Sequence, residues 1–221
     1  MAVGPYAALV GSGGKDSTLA LDRARGAGLD VRWLVNLYEA SSGRVRFHGV
    51  RAELVARQAD ALGLSCVQRA VGPEGFEAAF HSALDAVAAS GARVVVFGNI
   101  HLQDVRAWYE ERTRARGLEH VEPLWGEPPG ELVREFVRRG YRAVVTSVNL
   151  SQGRPEWVGA QLDLAFVRAV EARGADPCGE AGEYHTFVYD GPAFRYPVRF
   201  RLGAVSERDG HRFVDLEPDE G

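Results

Sequence analysis

The chain has 221 residues, of which 46% are hydrophobic and 25% charged, with a formal net charge of -4. These ordinary globular values argue against wholesale disorder, and the acidic balance gives no reason to expect a nucleic-acid partner held by bulk charge. No apolar run approaches the roughly 20 residues that cross a bilayer. No basic flank of a signal peptide precedes the first apolar run.

The first half of the chain alternates strand and helix signals. Strands are predicted over 6–11, 31–38, 65–71 and 93–98, and helices over 18–27, 50–62, 76–89 and 101–116. Such alternation is typical of βαβ units around a parallel sheet. Ligands of such sheets bind beyond the carboxyl ends of the strands, so the loop at 11–17 and the segments after Tyr38 and Phe97 should meet there.

The composition shifts around residues 126–130, where Glu127-Pro128-Pro129 is typical of a linker or turn. Beyond it the patterns predict helices over 131–139 and 161–173 and strands over 143–148, 184–189, 198–202 and 212–216. We therefore predict a Rossmann-like α/β fold with helices on both faces of a parallel sheet. The expected nucleotide-binding domain covers 1–125, and a smaller α+β substrate domain covers 126–221.

The loop after the first predicted strand reads Ser12-Gly13-Gly14-Lys15-Asp16-Ser17. Its glycines let the backbone approach a phosphate chain, and its N–H groups join a helix N-terminus as an anion site. The serine hydroxyls and Lys15 add donors and charge, and Asp16 suits Mg²⁺. Neither GxxxxGK[ST] nor GxGxxG matches, and a simple turn that caps a helix is the alternative. The loop therefore predicts ATP and Mg²⁺, with Asp16 as the metal ligand.

Lys15 is the only lysine, and every other cationic residue except histidine is arginine. A surface cation tolerates arginine, whereas a compact point charge under a phosphate favours lysine. The exception therefore supports a phosphate-binding role for the loop. The two cysteines, Cys66 and Cys178, lie far apart and form no CxxC pair. They fit a reducing compartment, so we expect a cytoplasmic protein.

The SGGKDS loop resembles the pyrophosphate-loop signature of the ATP pyrophosphatase superfamily, whose Rossmann-like domains are of the HUP type. That resemblance implies an enzyme that adenylates a carboxylate, carbonyl or urea-like oxygen and releases pyrophosphate. Ammonia, an amine or a sulfur donor then attacks the adenylate.

Further segments narrow the resemblance: 46–51, 97–106 with Glu110, 123–125 and 176–192. The most specific is Cys-Gly-Glu-x-Gly-Glu-Tyr-His-Thr-Phe at 178–187. Together they resemble the diphthine–ammonia ligase family over about residues 6 to 195, and the compact chain is similar to its bacterial members. The resemblance implies an ATP-dependent carbon–nitrogen ligase with Mg²⁺, ammonia and a carboxylate-bearing acceptor that no residue identifies.

The resemblance and the fold logic together propose three groups of site residues. The catalytic candidates are Lys15, Asp16, Glu180, Glu183 and His185. The ATP-binding candidates are Ser12, Gly13, Gly14, Lys15, Asp16, Ser17, Asn36 and Gly98. The substrate-binding candidates are His48, Asn99, Arg106, Glu110, Glu180 and Glu183. Simpler interpretations exist, since Glu180 and Glu183 also suit a solvated acidic turn, and Arg106 and Glu110 suit an i,i+4 ion pair on a helix surface.

One residue departs from the family pattern. The family usually has Gly-Asp-Ile after the fourth strand, and this chain has Gly98-Asn99-Ile100. The lost charge favours a second hypothesis, a non-catalytic ATP- or AMP-binding sensor of the same fold. A third, a tRNA-modifying ATP pyrophosphatase, needs a basic RNA surface or catalytic thiols, and the sequence shows neither clearly. A homodimer is compatible with apolar helices on an α/β sheet.

Overall fold

The first half of the chain forms a five-stranded parallel sheet in the computed structural model, which describes residues 4–219. Its strands are β1 (Tyr6–Val10), β2 (Asp30–Glu39), β3 (Ser65–Val71), β4 (Val94–Val96) and β5 (Glu119–Val121). The intervening helices are α1 (Lys15–Gly26), α2 (Ala52–Ala61), α3 (Gly75–Ala89) and α4 (Gln103–Arg114). The strand order is β3-β2-β1-β4-β5, so the order reverses between β1 and β4. This confirms the predicted Rossmann-like sheet.

Both faces of this sheet are buried under helices, as the sequence predicts. Ala7 and Leu9 of β1 lie in the cluster that includes the apolar residues of α1 and α2. Ala8, between them, points to the other face and lies in a cluster with Ala83 of α3. Val95 of β4 lies on that second face as well, with Phe80 and Leu84 of α3. Successive residues of a strand therefore contribute to opposite cores.

The second half builds a separate four-stranded antiparallel sheet. Its elements are α5 (Pro129–Arg138), β6 (Arg142–Asn149), a 3₁₀ turn (Pro155–Trp157), α6 (Leu164–Ala172), β7 (Tyr184–Asp190), β8 (Phe200–Arg208) and β9 (His211–Pro218). The strand order is β7-β6-β9-β8. The predicted smaller α+β part is confirmed, and the change of sheet falls in the segment between β5 and α5, where the sequence places its domain boundary.

Several element bounds differ from the sequence predictions. The sequence predictions do not include strand β5, because its three residues have only one aliphatic side chain and so show no strand-like hydrophobic pattern. Helix α1 begins at Lys15 rather than at 18, and α6 begins at Leu164 because the Asp163 carboxylate accepts the backbone N–H of Phe166 and caps the helix. Strand β8 extends to Arg208 as an exposed edge, so it lacks the apolar alternation that predicts strands. Within residues 4–219, no helix is both long and apolar enough to cross a bilayer.

Candidate active site

A pocket of about 420 Å³ opens at the carboxyl ends of β1, β2 and β4. This is the edge where the strand order reverses, which is where ligands bind in open α/β sheets. Its floor is the glycine loop and the start of α1. Its far wall comes from the second half of the chain, at 178–180 and 184–186, and its rim from 45–48 and 97–99. The pocket therefore joins the segments that the sequence singles out at both ends of the chain.

The glycine loop is fixed from behind by distant elements. Gly13 has a φ of +87°, and a side chain there would also meet the Phe187 ring at 3.2 Å. Its carbonyl accepts hydrogen bonds from the Gln58 amide (3.0 Å) and from the backbone N–H of Val188 (2.9 Å). Glycine is thus required for conformation and for space. Because its carbonyl is held behind the loop, the backbone N–H groups are free to face the pocket.

The start of α1 has the character of an anion site. Gly14 caps the helix without a side-chain hydrogen bond. Along residues 4–219, no protein group accepts the backbone N–H of Ser12, Gly13 or Gly14, whereas that of Lys15 is bound by the Thr186 hydroxyl at 3.1 Å. Unpaired N–H groups at a helix N-terminus attract phosphate oxygens. The residues present therefore fit the phosphate chain of ATP.

Gly98 brings β4 close to this helix start. A side chain at Gly98 would lie 2.8 Å from the carbonyl carbon of Asp16 and 2.8 Å from the nitrogen of Ser17. Only glycine allows this approach of backbone to backbone. The hydroxyl of Ser17 donates to the Gly14 carbonyl at 3.0 Å, so it stiffens the loop as well as lining the pocket.

Lys15 is buried, with 4% of its surface exposed. Its ammonium group donates to the Asp16 carboxylate at 2.8 Å and to the backbone carbonyl of Cys178. Burial works to lower the pKa of Lys15, but the neighbouring Asp16 charge leaves it well above its ordinary value. An ammonium group has three donors. Lys15 therefore remains charged, joins the two halves of the site, and keeps one donor for a ligand.

Two carboxylates, those of Asp16 and Glu180, line the pocket beside the phosphate loop. Burial, together with the charges of Asp16 and Asp176, raises the pKa of Glu180 to about 7, although Lys15 and the backbone N–H of Ile100 act to lower it. Burial also raises the pKa of Asp16, against the effect of Lys15. Among the residues that the structure describes, no three His, Cys, Asp or Glu side chains form a metal cluster. Mg²⁺ needs only one or two carboxylates when phosphates complete its shell, so Asp16 fits it.

Glu183 has a different position from Glu180. It is buried and does not line the pocket; its carboxylate accepts the backbone N–H of Asp176 at 2.9 Å. Asp176 in turn accepts the N–H of Cys178 at 2.7 Å, and the Tyr184 hydroxyl donates to the Pro177 carbonyl at 2.6 Å. The structure therefore places Glu183, a predicted catalytic and substrate residue, as a brace that shapes the loop presenting Glu180.

His48 and His185 form a second side of the pocket, with ring centroids 4.5 Å apart. Burial lowers the pKa of His48 to about 4, and burial with the His48 ring and Lys15 lowers the pKa of His185 well below its ordinary value. Both imidazoles are neutral at pH 7. His48 accordingly donates its Nδ1 hydrogen to the Thr186 carbonyl at 3.2 Å. Neutral rings are suited to form hydrogen bonds with a substrate rather than ion pairs.

Phe47 lies at the mouth of the pocket in a strained conformation. Its φ is +63°, which is rare for a bulky side chain, and 53% of its surface is exposed. The hydroxyl of buried Ser147 donates to its carbonyl at 2.6 Å. Its ring lies 6.3 Å from that of His185. An exposed aromatic ring held at a cavity entrance offers a surface for part of a larger acceptor.

The loop that carries Phe47 is anchored by one carboxylate. Asp215 of β9 accepts hydrogen bonds from Arg44 at 2.7 Å and from Arg51 at 2.6 Å. Burial acts to raise its pKa, but the hydrogen bonds from Arg51 and Arg44 lower it to about 2, from an ordinary 3.8. This ion pair therefore contributes stability above pH 3.8, and the contribution is lost as the pH falls towards about 2.

We expect Asp215→Asn to lower the free energy of unfolding by about 1 kcal/mol at pH 7, since the partly exposed ion pairs are screened by solvent. The measurement is thermal melting of both proteins from pH 7 to about pH 2.5. The difference between the two melting temperatures should narrow towards the acid end, as the pH approaches the pKa of about 2 of the wild-type carboxylate. Asp209→Asn, in an exposed turn, is the control. Equal melting temperatures at pH 7 would contradict the anchoring role.

Some predicted site residues are placed elsewhere. The i,i+4 pair of Arg106 and Glu110 does not form, because Arg106 lies 3.5 Å from Glu122 and Glu110 pairs with Arg114 at 2.6 Å. Neither residue lines the pocket. Asn36 does line it, but its amide donates to the Gly11 carbonyl and accepts from Gln68. Its side chain therefore supports the glycine loop rather than facing a ligand.

The parallel sheet, the glycine loop at its switch point and the SGGKDS motif define a nucleotide-binding protein of the PP-loop ATP pyrophosphatase superfamily. Models of the diphthamide synthase N-terminal domain and C-terminal domain match residues 6–120 and 128–213. The chain therefore belongs to the diphthamide synthase family. No curated protein matches it.

Similar solved structures include the predicted subunit of a tRNA methyltransferase from Methanocaldococcus jannaschii. That likeness covers 87% of this chain and 100% of the other, with 14% identity and a TM-score of 0.48. Another is the U34-tRNA thiolase NcsA from Methanococcus maripaludis with its [4Fe-4S] cluster, which covers 62% of this chain and 58% of the other, with 13% identity and a TM-score of 0.41. Neither likeness is close enough to assign a substrate.

Proposed function

We propose that this chain is an ATP-dependent adenylating amidoligase, which forms an amide from a carboxylate and ammonia and releases AMP and pyrophosphate. The observation that supports this proposal is the composition of one pocket. Unpaired backbone N–H groups and Lys15 line it together with Glu180, whose pKa is about 7. The N–H groups and the ammonium suit a departing pyrophosphate, and the carboxylate suits a proton acceptor near neutral pH.

In the first step, a carboxylate oxygen of the acceptor attacks the α-phosphorus of ATP. The bond from that phosphorus to the bridging oxygen breaks, and pyrophosphate leaves with the bonding electrons. Lys15 and the loop N–H groups stabilise the charge that develops on pyrophosphate, because they are fixed in place before the reaction. Asp16 would hold Mg²⁺, which would supply further neutralisation of this charge.

In the second step, ammonia attacks the carbonyl carbon of the acyl adenylate, and AMP leaves. Ammonium is the main form of ammonia near pH 7, so a proton must be removed before the nitrogen can attack. The Glu180 carboxylate takes this proton, since its pKa of about 7 leaves it partly ionised and basic at that pH. Starting from ammonium, the products are one amide, one AMP dianion and two protons: the first is taken by Glu180, and the second leaves the nitrogen after it has attacked.

The acceptor would lie between His48, His185 and Phe47. The two neutral imidazoles offer hydrogen bonds without repelling a cation, and the exposed Phe47 ring extends the binding surface outside the pocket. An acceptor that extends beyond the cavity, either a small molecule or a residue of a protein, would use this mouth. The carboxylate to be activated would point inward, towards the phosphate loop.

The test is to incubate the protein with ATP, Mg²⁺ and ammonium chloride and a panel of carboxylates: free amino acids, N-acetyl amino acids, dicarboxylates and short peptides. We expect at least one of them to raise AMP and pyrophosphate formation together, in equal amounts. Products of ADP and phosphate alone would overturn the proposal. ATP binding with no AMP across the whole panel would favour the non-catalytic sensor instead. The matched control is heat-denatured protein from the same preparation.

A further inference from the structure

A buried carboxylate lies behind the pocket rim, outside the pocket itself. Glu122 follows β5, and its side chain is 1% exposed. One carboxylate oxygen, Oε1, accepts from the Asn99 amide at 2.7 Å and from His120 Nε2 at 2.9 Å. The other, Oε2, has no hydrogen-bond partner among residues 4–219 and lies 3.5 Å from Arg106 Nε. A buried charge paired this loosely destabilises a fold, so its retention suggests another role.

Glu122 determines which way the Asn99 amide points. A carboxylate only accepts hydrogen bonds, so the Asn99 NH₂ group must face it and the carbonyl oxygen must face away. Asn99 lines the pocket, whereas Glu122 does not. No protein group within the described part of the chain donates to that carbonyl oxygen. The pocket rim therefore carries a free, fixed acceptor.

The network behind Asn99 is rigid. The His120 ring stacks on that of Phe97 with centroids 4.5 Å apart, and Phe97 contacts the Tyr109 ring at 4.9 Å. Phe97 and Tyr109 also line the pocket. Because His120 is held between an aromatic ring and Glu122, the carboxylate has little freedom to turn. The orientation of Asn99 is consequently set before any ligand arrives.

Asn99 lies next to the proposed proton acceptor. Asn99 and Glu180 both line the pocket, and the backbone N–H of Ile100, the residue after Asn99, lies near enough to the Glu180 carboxylate to act on its pKa. The Asn99 carbonyl oxygen and the Glu180 carboxylate are therefore neighbouring acceptors in the pocket, where the rim meets the far wall. A ligand nitrogen that carries only hydrogen-bond donors satisfies both, and ammonium is the smallest such ion.

We propose that Glu122 is a positioning residue that turns the Asn99 carbonyl oxygen into the pocket, and that this oxygen and Glu180 together bind the ammonium ion. The inference rests on the proposed amidoligase function, whose nitrogen donor it places. An Asn99 amide turned the other way would present its NH₂ group to the ion and repel it. The pair thus favours a cationic nitrogen donor over anions.

The test measures ammonium binding and needs no acceptor. Ammonium chloride labelled with ¹⁵N is titrated into protein saturated with the α,β-methylene analogue of ATP, at constant ionic strength, and bound ion is followed by NMR line width. We expect Asn99→Ala, which removes the acceptor oxygen, to weaken binding about tenfold, as for one hydrogen bond to a charged group. Binding of the ATP analogue should stay within about twofold.

An exchange of the two side chains separates positioning from simple structural support. In Glu122→Gln the two facing amides pair in either direction, so ammonium binding should weaken several-fold. In Asn99→Asp two carboxylates face each other and share a proton, which also disturbs the site. The double variant Asn99→Asp with Glu122→Gln restores a fixed pair, since the amide introduced at position 122 now donates to the carboxylate at position 99. We expect it to bind ammonium within about threefold of wild type.

Glu119→Gln, an exposed change on β5, is the matched control and should leave ammonium binding unchanged. Unchanged ammonium binding in Asn99→Ala, no binding by wild type, or a double variant no better than the weaker single variant would each overturn the inference. Failure of AMP formation is a separate measurement and bears on the amidoligase proposal. Melting temperatures of all variants identify any that misfold. If the Glu122 variants misfold, ammonium binding by Asn99→Ala, a change at a half-buried position, still tests the inference.

Discussion

A Lys15→Met protein should form AMP from ATP at least roughly 10²-fold more slowly than wild type, the usual loss when one fixed group that stabilises a transition-state charge is removed. Methionine has a similar length and suits a buried position, so the main change is the lost charge. Lys15 remains protonated because Asp16 holds its pKa well above the ordinary value, against the effect of burial. The measurement is AMP formation under saturating ATP, with binding of an ATP analogue measured alongside.

Lys15→Arg is the more informative companion. The Lys15 ammonium group is buried between Asp16 and the Cys178 carbonyl, and a longer, planar guanidinium cannot place its donors as that compact point charge does. We therefore expect the arginine variant to lose activity as well, although arginine serves as the cation everywhere else in the chain. Arg93→Met removes an exposed charge far from the pocket and is the control. An arginine variant with wild-type activity would contradict this role of shape and burial.

Lys15 also bridges the two halves of the chain, so its loss should affect stability. Without it, the Asp16 carboxylate and the Cys178 carbonyl lose a buried donor, which costs about 1–3 kcal/mol. The variant Lys15→Met with Asp16→Asn removes the charge left unpaired and should recover part of that stability without recovering activity. Melting temperature and AMP formation should therefore separate in this pair of variants.

The sequence predicts the glycine loop and its sheet edge because both are encoded locally. A strand, two glycines, a lysine and a helix start occupy consecutive positions, and the continuous run Val94–Val96 indicates a buried parallel strand. The spatial meeting of this loop with 97–99 follows from the parallel topology alone. These features required no knowledge of contacts between distant residues.

The partners that hold the loop in place could not be predicted in this way. Thr186 accepts the N–H of Lys15 across 171 positions, and Gln58 holds the Gly13 carbonyl across 45. Gln58 resembles any other polar residue of a helix, and nothing near it in sequence indicates its burial. Glu122 could not be predicted for the same reason. A single glutamate before Pro123 gives no sequence pattern, and only the folded position of β5 places it beside Asn99.

The alternative interpretation of Arg106 and Glu110 as an i,i+4 ion pair shows the limit of helical spacing. Residues at i and i+4 can meet on a helix, but Arg106 turns towards the buried Glu122 and the Trp125 ring, whose centroid lies 4.4 Å away. Glu110 pairs one turn further on, with Arg114. A tertiary carboxylate in a buried position competes better for the guanidinium than an exposed helix neighbour does.

Glu180→Gln should slow the ammonia-dependent step by roughly 10²- to 10³-fold, the range for loss of a positioned base. Adenylation should be affected much less, because the phosphate loop and Lys15 remain. With an accepted carboxylate in hand, ATP–pyrophosphate exchange without ammonium reports the first step, and amide formation reports the second. We therefore expect exchange to persist while amide formation fails. Loss of both to the same extent would contradict the role of Glu180 as a base.

The pH dependence provides an independent check on Glu180. Its pKa of about 7 means that the carboxylate is ionised above pH 7 and protonated below it. At a constant concentration of free ammonia, the wild-type rate of amide formation should therefore rise with pH and level off above about 7. The glutamine variant should lack this rise, because it has no group there to ionise.

As the pH rises, the free energy of unfolding of the wild type should fall while its rate of amide formation rises. A carboxyl group whose pKa is raised in the folded state stabilises the fold at low pH, and that contribution is lost as the pH rises through about 7. Glu180→Gln removes the buried charge responsible for the loss. We expect the variant to melt at a higher temperature than wild type at about pH 8 and to lose this advantage near about pH 4. A residue that only supported the fold would lower the melting temperature when replaced, so the combination of greater stability and lost amide formation distinguishes a catalytic base from a structural acid.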